Sequence, residues 1–227
     1  MKKLLPLLVL GIAFGIIEAT VVIYLRPFFA PANDPFALVI LRPEAMSDLQ
    51  KTLISAEVWR EAATLLLLAA AATIAARSIL YWLSYFVFTF AVWDIFYYIW
   101  LSVRIGWPHS LFDWDILFLI PRMWLAPVLA PCLISLAGIA MSMIMVRTLD
   151  VRRSIRLLFY HWSPVVLALF LWLISFLNKS EKGMTSFPAS YSWWLFIPGM
   201  VMCAAVTAVF YREFLYKHRS FMFRTRN

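Results

Sequence analysis

Long apolar runs separated by short polar breaks dominate this chain. A helix needs about 20 apolar residues to cross about 30 Å of hydrocarbon, and six runs approach or exceed that length: Leu4–Leu25, Val58–Ala76, Ile79–Leu101, Met123–Val146, Leu157–Leu177 and Trp193–Tyr211. The pattern predicts an all-α fold, a polytopic transmembrane bundle of about six helices forming a single integral membrane domain over residues 1–227. The start of the first run also resembles a secretory signal, because Lys2 and Lys3 precede it and Ala13-Phe14-Gly15 has the small residues of a cleavage site. Mostly apolar sequence continues ten residues past Gly15, so the run is read as a retained helix.

The connections add detail. Residues 26–57 form the longest loop, carrying Pro27, Pro31, Pro35 and Pro43. Near its end Ser47-Asp48-Leu49-Gln50 matches a capping box, in which a hydroxyl and an amide satisfy free backbone donors at a helix start. The second helix is therefore expected to begin before the membrane and run on through Trp59. Between the third and fourth runs, Gly106, Pro108 and His109 mark a turn. After it, Asp113 or Asp115 is placed to cap a short helix that Pro121 interrupts. Pro127 and Pro131 would each remove a backbone hydrogen bond from a fourth helix already under way there. An inverted repeat of three helices would suit a transporter, but the two halves share no matching features.

Composition agrees with the pattern. The residues are 64% hydrophobic and 14% charged, and the mean hydropathy is +0.84; soluble domains carry about 25% charged residues. The formal net charge of +8 would raise nucleic acid as a partner, yet most basic residues flank apolar runs and no nucleic-acid-binding motif accompanies them. The bilayer is the partner expected instead, with other membrane subunits or further copies of the chain also compatible. With the amino terminus inside, inner segments hold twelve Lys and Arg and the longer outer segments eight. The basic loop from Arg147 to Arg156 decides the direction. Both termini are placed in the cytoplasm, and a bacterial inner membrane is the expected location. Cys132 and Cys203 lie within apolar runs and are read as packing residues.

Against this background two acids stand out. At 1.5 Å per residue, Glu18 lies roughly 21 Å along from Leu4 and Asp94 about 22 Å along from Ile79. Both therefore fall in the outer half of the bilayer. Charges at that depth are costly and usually pair or line a polar cavity. Gly11 and Gly15 form a small-xxx-small face, and Glu18 follows on the same side, so it should meet a helix rather than lipid. The simplest reading of both acids is a structural ion pair with Arg26, Arg60, Arg104 or Arg122. The alternative is a site for a proton, cation or substrate.

Further residues extend that alternative. Glu57 and Glu61 share a face at the outer end of the second helix, Arg60 can pair with Glu57, and Glu61 is the deeper acid. Tyr97 and Tyr98 share a helical face with Asp94 and can offer hydroxyls to a carboxylate. The candidate polar site comprises Glu18, Glu61, Asp94, Tyr97, Tyr98, His109, Asp115 and Arg122, with the four carboxylates expected to converge in one pocket. Without a Glu-x-x-His motif a di-iron bundle is excluded, and no metal is assigned, although carboxylates with His109 would suit a hard cation. Nine of eleven tryptophans fall in the outer half or its loops, which fits an interfacial belt or an aromatic cage for a cationic ligand. Phosphate-loop, nucleophile-elbow and zinc-protease motifs are missing, and no cofactor follows from the sequence.

Three functional classes remain. The first binds or passes a proton, cation or small solute at an outward-facing carboxylate–aromatic site. The second is a non-catalytic accessory, anchor or assembly subunit. The third is an outer-leaflet enzyme using carboxylate acid–base or metal chemistry.

Overall fold

All six apolar runs become helices in this computed structural model, which describes residues 3–39, 43–151, 159–178 and 186–224, with the backbone alone described at 43, 159–161 and 213–224. Arg152, Arg153 and Arg156 of the basic loop, Leu157 at the expected start of the fifth run, and Glu181 lie outside those residues. In order the elements are α1 (Leu4–Leu25), α2 (Asp48–Ala75), α3 (Ile79–Ile105), β1 (Trp114–Ile116), β2 (Leu125–Pro127), α4 (Leu129–Val151), α5 (Phe159–Leu177) and α6 (Trp193–Arg224). Five helices are long and apolar enough to cross a bilayer; the apolar part of α5, Trp162–Leu177, is shorter. Large apolar side chains such as Leu66, Ile74, Phe170 and Val201 are exposed on the outer helix faces. Such a surface suits lipid rather than water, and the chain is an integral membrane protein.

The capping box at the start of α2 forms as expected. Gln50 N–H donates to the Ser47 hydroxyl at 3.2 Å, and Ser47 N–H donates to the Gln50 side chain at 2.9 Å. That satisfies donors a helix start would otherwise leave free. Helix α1 packs along α3 through its small residues. A Cβ on Gly11 would lie 2.8 Å from Val92 Cγ1, and one on Gly15 would lie 2.9 Å from the backbone carbon of Phe96. Only glycine permits backbones this close. The other main pairings are α3 with α4 and α2, α4 with α6, and α5 with α6. At one end Tyr81 donates to Asp150 at 2.7 Å, joining the start of α3 to the end of α4.

The opposite end departs from expectation. No helix runs through residues 113–128; β1 and β2 form an antiparallel hairpin instead, pairing Trp114 with Pro127 and Ile116 with Leu125. Asp113 caps a turn, accepting from the backbone N–H groups of His109 and Ser110 at 2.8 and 3.2 Å. Asp115 sits within β1. The fourth helix starts at Leu129 rather than Met123 because Pro121 and Pro127 offer no N–H to a helical ladder. Pro131 falls in the first turn of α4, where that N–H has no intrahelical partner to lose.

Candidate functional site

The hairpin bends back over the bundle, and beneath it lies a cavity of about 460 Å³. Glu18 from α1, Glu57 and Glu61 from α2, Asp94 from α3 and Asp115 from β1 all contribute to its walls. The four carboxylates singled out in the sequence thus reach one space from four elements. Tyr97 and Tyr98 line it as well.

Each acid has a hydrogen-bond partner. Arg60 clamps two of them: its guanidinium donates to Glu57 at 2.6 and 2.8 Å, and to both oxygens of Glu18, one at 2.7 Å. This bidentate geometry is the strong form of an arginine–carboxylate contact. It ties α1 to α2. Glu61 is buried and accepts the backbone N–H of Leu119, at 3.0 and 3.2 Å, with both oxygens. Asp94 accepts the Ser135 hydroxyl at 2.8 Å. Asp115, 2% exposed, accepts from Tyr98 at 2.9 Å and from Tyr97 at 3.5 Å. The two tyrosines therefore serve Asp115 rather than Asp94. Burial pushes the Asp115 carboxyl up to about 6, while the nearby Arg26 charge and the Tyr98 hydroxyl pull it back.

Of the four arginines considered as partners, Arg60 alone pairs with an intramembrane acid among the described residues. Arg26 is buried but lies 3.8 Å over the Trp107 ring and donates to the Phe36 carbonyl at 3.1 Å. Arg104 is exposed. Two of the proposed site residues fall outside the cavity. His109 is exposed in the α3–β1 turn, with Nδ1 3.6 Å from Asp113. Arg122 is exposed at the hairpin tip and reaches the Leu177 carbonyl of α5 at 3.4 Å. The turn is set by Gly106, which ends α3 with a left-handed φ of 69°, and it carries His109 away from the bundle. Ser135 was not foreseen, because a serine on an apolar helix carries no signal until its neighbour is known.

The remaining walls are aromatic. Phe90 meets Trp93 edge-on at 5.1 Å, Phe118 tilts against Trp124 at 5.4 Å, and Trp124 stacks on Phe176 at 5.9 Å. Rings thus run from α3 through the hairpin to α5. The indole N–H groups of Trp93 and Trp124 have no hydrogen-bond partner. Among the described residues no three histidine, cysteine or carboxylate side chains gather closely enough to hold a metal ion. Both cysteines are free, and Cys203 packs into the α4–α6 core.

The chain matches no protein-family model, no curated protein and no solved structure.

The chemistry of the site must then be read from its walls. Arg60 is shared by Glu18 and Glu57 and offsets one of their two charges. Glu61, Asp94 and Asp115 have neutral hydrogen-bond partners, so this corner of the cavity is acidic. Faces of aromatic rings attract cations, and a cavity of this size accepts a small organic molecule.

Proposed function

We propose that this protein binds a small organic cation in the cavity beneath the hairpin, within the inner membrane of a bacterium. The observation that carries the reading is the set of three acids, Glu61, Asp94 and Asp115, that face an aromatic-walled cavity and whose hydrogen-bond donors are all neutral. A bare metal ion fits less well, since among the described residues no three ligands gather closely enough to hold one, whereas an ammonium group can meet one carboxylate while its carbons rest on rings. The excess of Lys and Arg on the segments assigned to the cytoplasm supports the orientation. Lipid is the surrounding partner. Nucleic acid has no part in the reading.

Titration of the purified protein in lipid nanodiscs with butylammonium tests this directly. Trp93, Trp124 and Trp172 line the cavity, so binding should change the intrinsic fluorescence saturably. Glu61→Gln and Asp94→Asn should accumulate normally and weaken that response at least tenfold. A response that is unsaturable, or unchanged in both variants, refutes cation binding.

A second reading has one observation in its favour. The Glu18–Arg60–Glu57 clamp is a structural device, and an accessory or assembly subunit would need little else. Normal binding by neither variant nor wild type, with a partner subunit co-purifying, would move the conclusion there.

A further inference from the structure

The cavity has a roof, and the roof leaves one side uncovered. At the hairpin tip Leu119 bonds Glu61 of α2, while Trp124 stacks on Phe176 and Arg122 reaches Leu177, both on α5. The tip therefore bridges α2 and α5 across the end of the bundle. Below it those helices do not close on each other, since α2 packs on α3 and α5 on α6, with no extensive contact between the two. On that side the cavity is lined by exposed, apolar Leu169, a surface that suits lipid.

The wall chemistry is graded along the same axis. The acids of α2 and β1 sit at the hairpin end. Phe90 on α3 and Leu169 on α5 line the other end, each seven residues from Tyr97 and Phe176, or roughly 10 Å farther into the bundle. Leu169 is 56% exposed on the helix surface and also lines the cavity, which marks it as part of the rim. Trp93 is 6% exposed, lines the cavity, and has an indole N–H without an acceptor. A ligand with an oxygen beside its amine would offer one.

We infer that the ligand is a single-chain amphiphile with an amino-alcohol head group, which enters sideways from the bilayer between α2 and α5. The amine meets Glu61 and Asp94, and the hydroxyl accepts from Trp93. The chain lies past Leu169 and Leu173 into lipid. Charge complementarity selects this occupant over an anionic or neutral lipid, because Arg60 is already held by two carboxylates. The inference rests on the cation-binding reading and adds the class of cation and its route.

Nanodiscs of neutral lipid allow the two ideas to fail separately. The probes are N-dodecylethanolamine, dodecanol and water-soluble butylammonium, read by tryptophan fluorescence, with the amphiphiles expressed as mole fraction in the bilayer. Dodecylethanolamine should bind at least tenfold more tightly than dodecanol. Leu169→Phe and Leu173→Phe, which narrow the rim without adding a fluorescent indole, should weaken the amphiphile at least fivefold and leave butylammonium unchanged. Retained butylammonium binding also shows that the variants fold. If butylammonium binds while dodecylethanolamine binds no better than dodecanol, or both rim variants take the amphiphile normally, lateral entry is refuted and cation binding stands. If neither amine binds the wild type, both ideas fall.

Discussion

The crossing of α1 over α3 offers a sharp test of the packing that presents Glu18. A Cβ added at Gly15 would lie 2.8 Å from Phe96 Cβ, 2.9 Å from the Phe96 carbonyl carbon and 3.0 Å from the Tyr97 nitrogen. Comfortable contacts between carbon atoms begin near 3.5 Å, so Gly15→Ala forces α1 back by roughly 0.7 Å. Two of the three obstructing atoms are backbone and cannot rotate aside. Overpacking of this kind costs about 1–3 kcal/mol, and alanine returns about 1 kcal/mol of helix propensity. The net loss should be about 0–2 kcal/mol. Gly138→Ala in α4 is the matched control. Its Cβ would meet Val87 Cγ1 at 3.1 Å and Ala91 Cβ at 3.6 Å, and a valine methyl can shift. That variant should range from neutral to about 1 kcal/mol more stable. Equilibrium unfolding in mixed micelles, on both variants and wild type, supplies the comparison. A Gly15→Ala protein as stable as Gly138→Ala would refute the close backbone approach.

Three other outcomes are expected. Arg60→Gln strands Glu18 and Glu57 without their cation and should cost about 3–5 kcal/mol, most of it recovered when both acids also become Gln; a loss below about 1 kcal/mol in the same assay would deny the clamp a structural role. The Asp115 carboxyl is raised to about 6 in the folded protein by burial, so the folded state holds its proton more tightly than the unfolded one. Its contribution is then present below about pH 4 and lost as pH rises through about 6, on the order of 3 kcal/mol. The stability of wild type relative to Asp115→Asn should fall across that window, and a flat difference would contradict the assignment. For orientation, a cysteine at Asn33 should react with an impermeant maleimide added outside intact cells and one at Ser78 should not; the reverse pattern would invert the topology.

Much of the architecture is a local property of the chain. Run length alone marks the six helices, because each must satisfy its own backbone over a fixed hydrocarbon thickness. The Ser47–Gln50 cap forms as the four-residue pattern dictates. The glycine face of α1 is legible for the same reason, since residues at positions 11 and 15 must share a side of any helix. Counting rise per residue also placed Glu18 and Asp94 at one depth. The hairpin escaped notice because β1 and β2 have three residues each, too few for a period of two to register. Its prolines instead resembled interruptions in a helix. Partner choice was equally hidden. Arg60 and Glu18 are 42 positions apart, and Asp94 and Ser135 are 41 apart. Which arginine meets which acid depends on how each helix is rotated and where it crosses its neighbour. Those quantities are set by side-chain packing among several helices at once, so the tertiary structure alone decided them, as it decided that His109 and Arg122 stand outside the cavity.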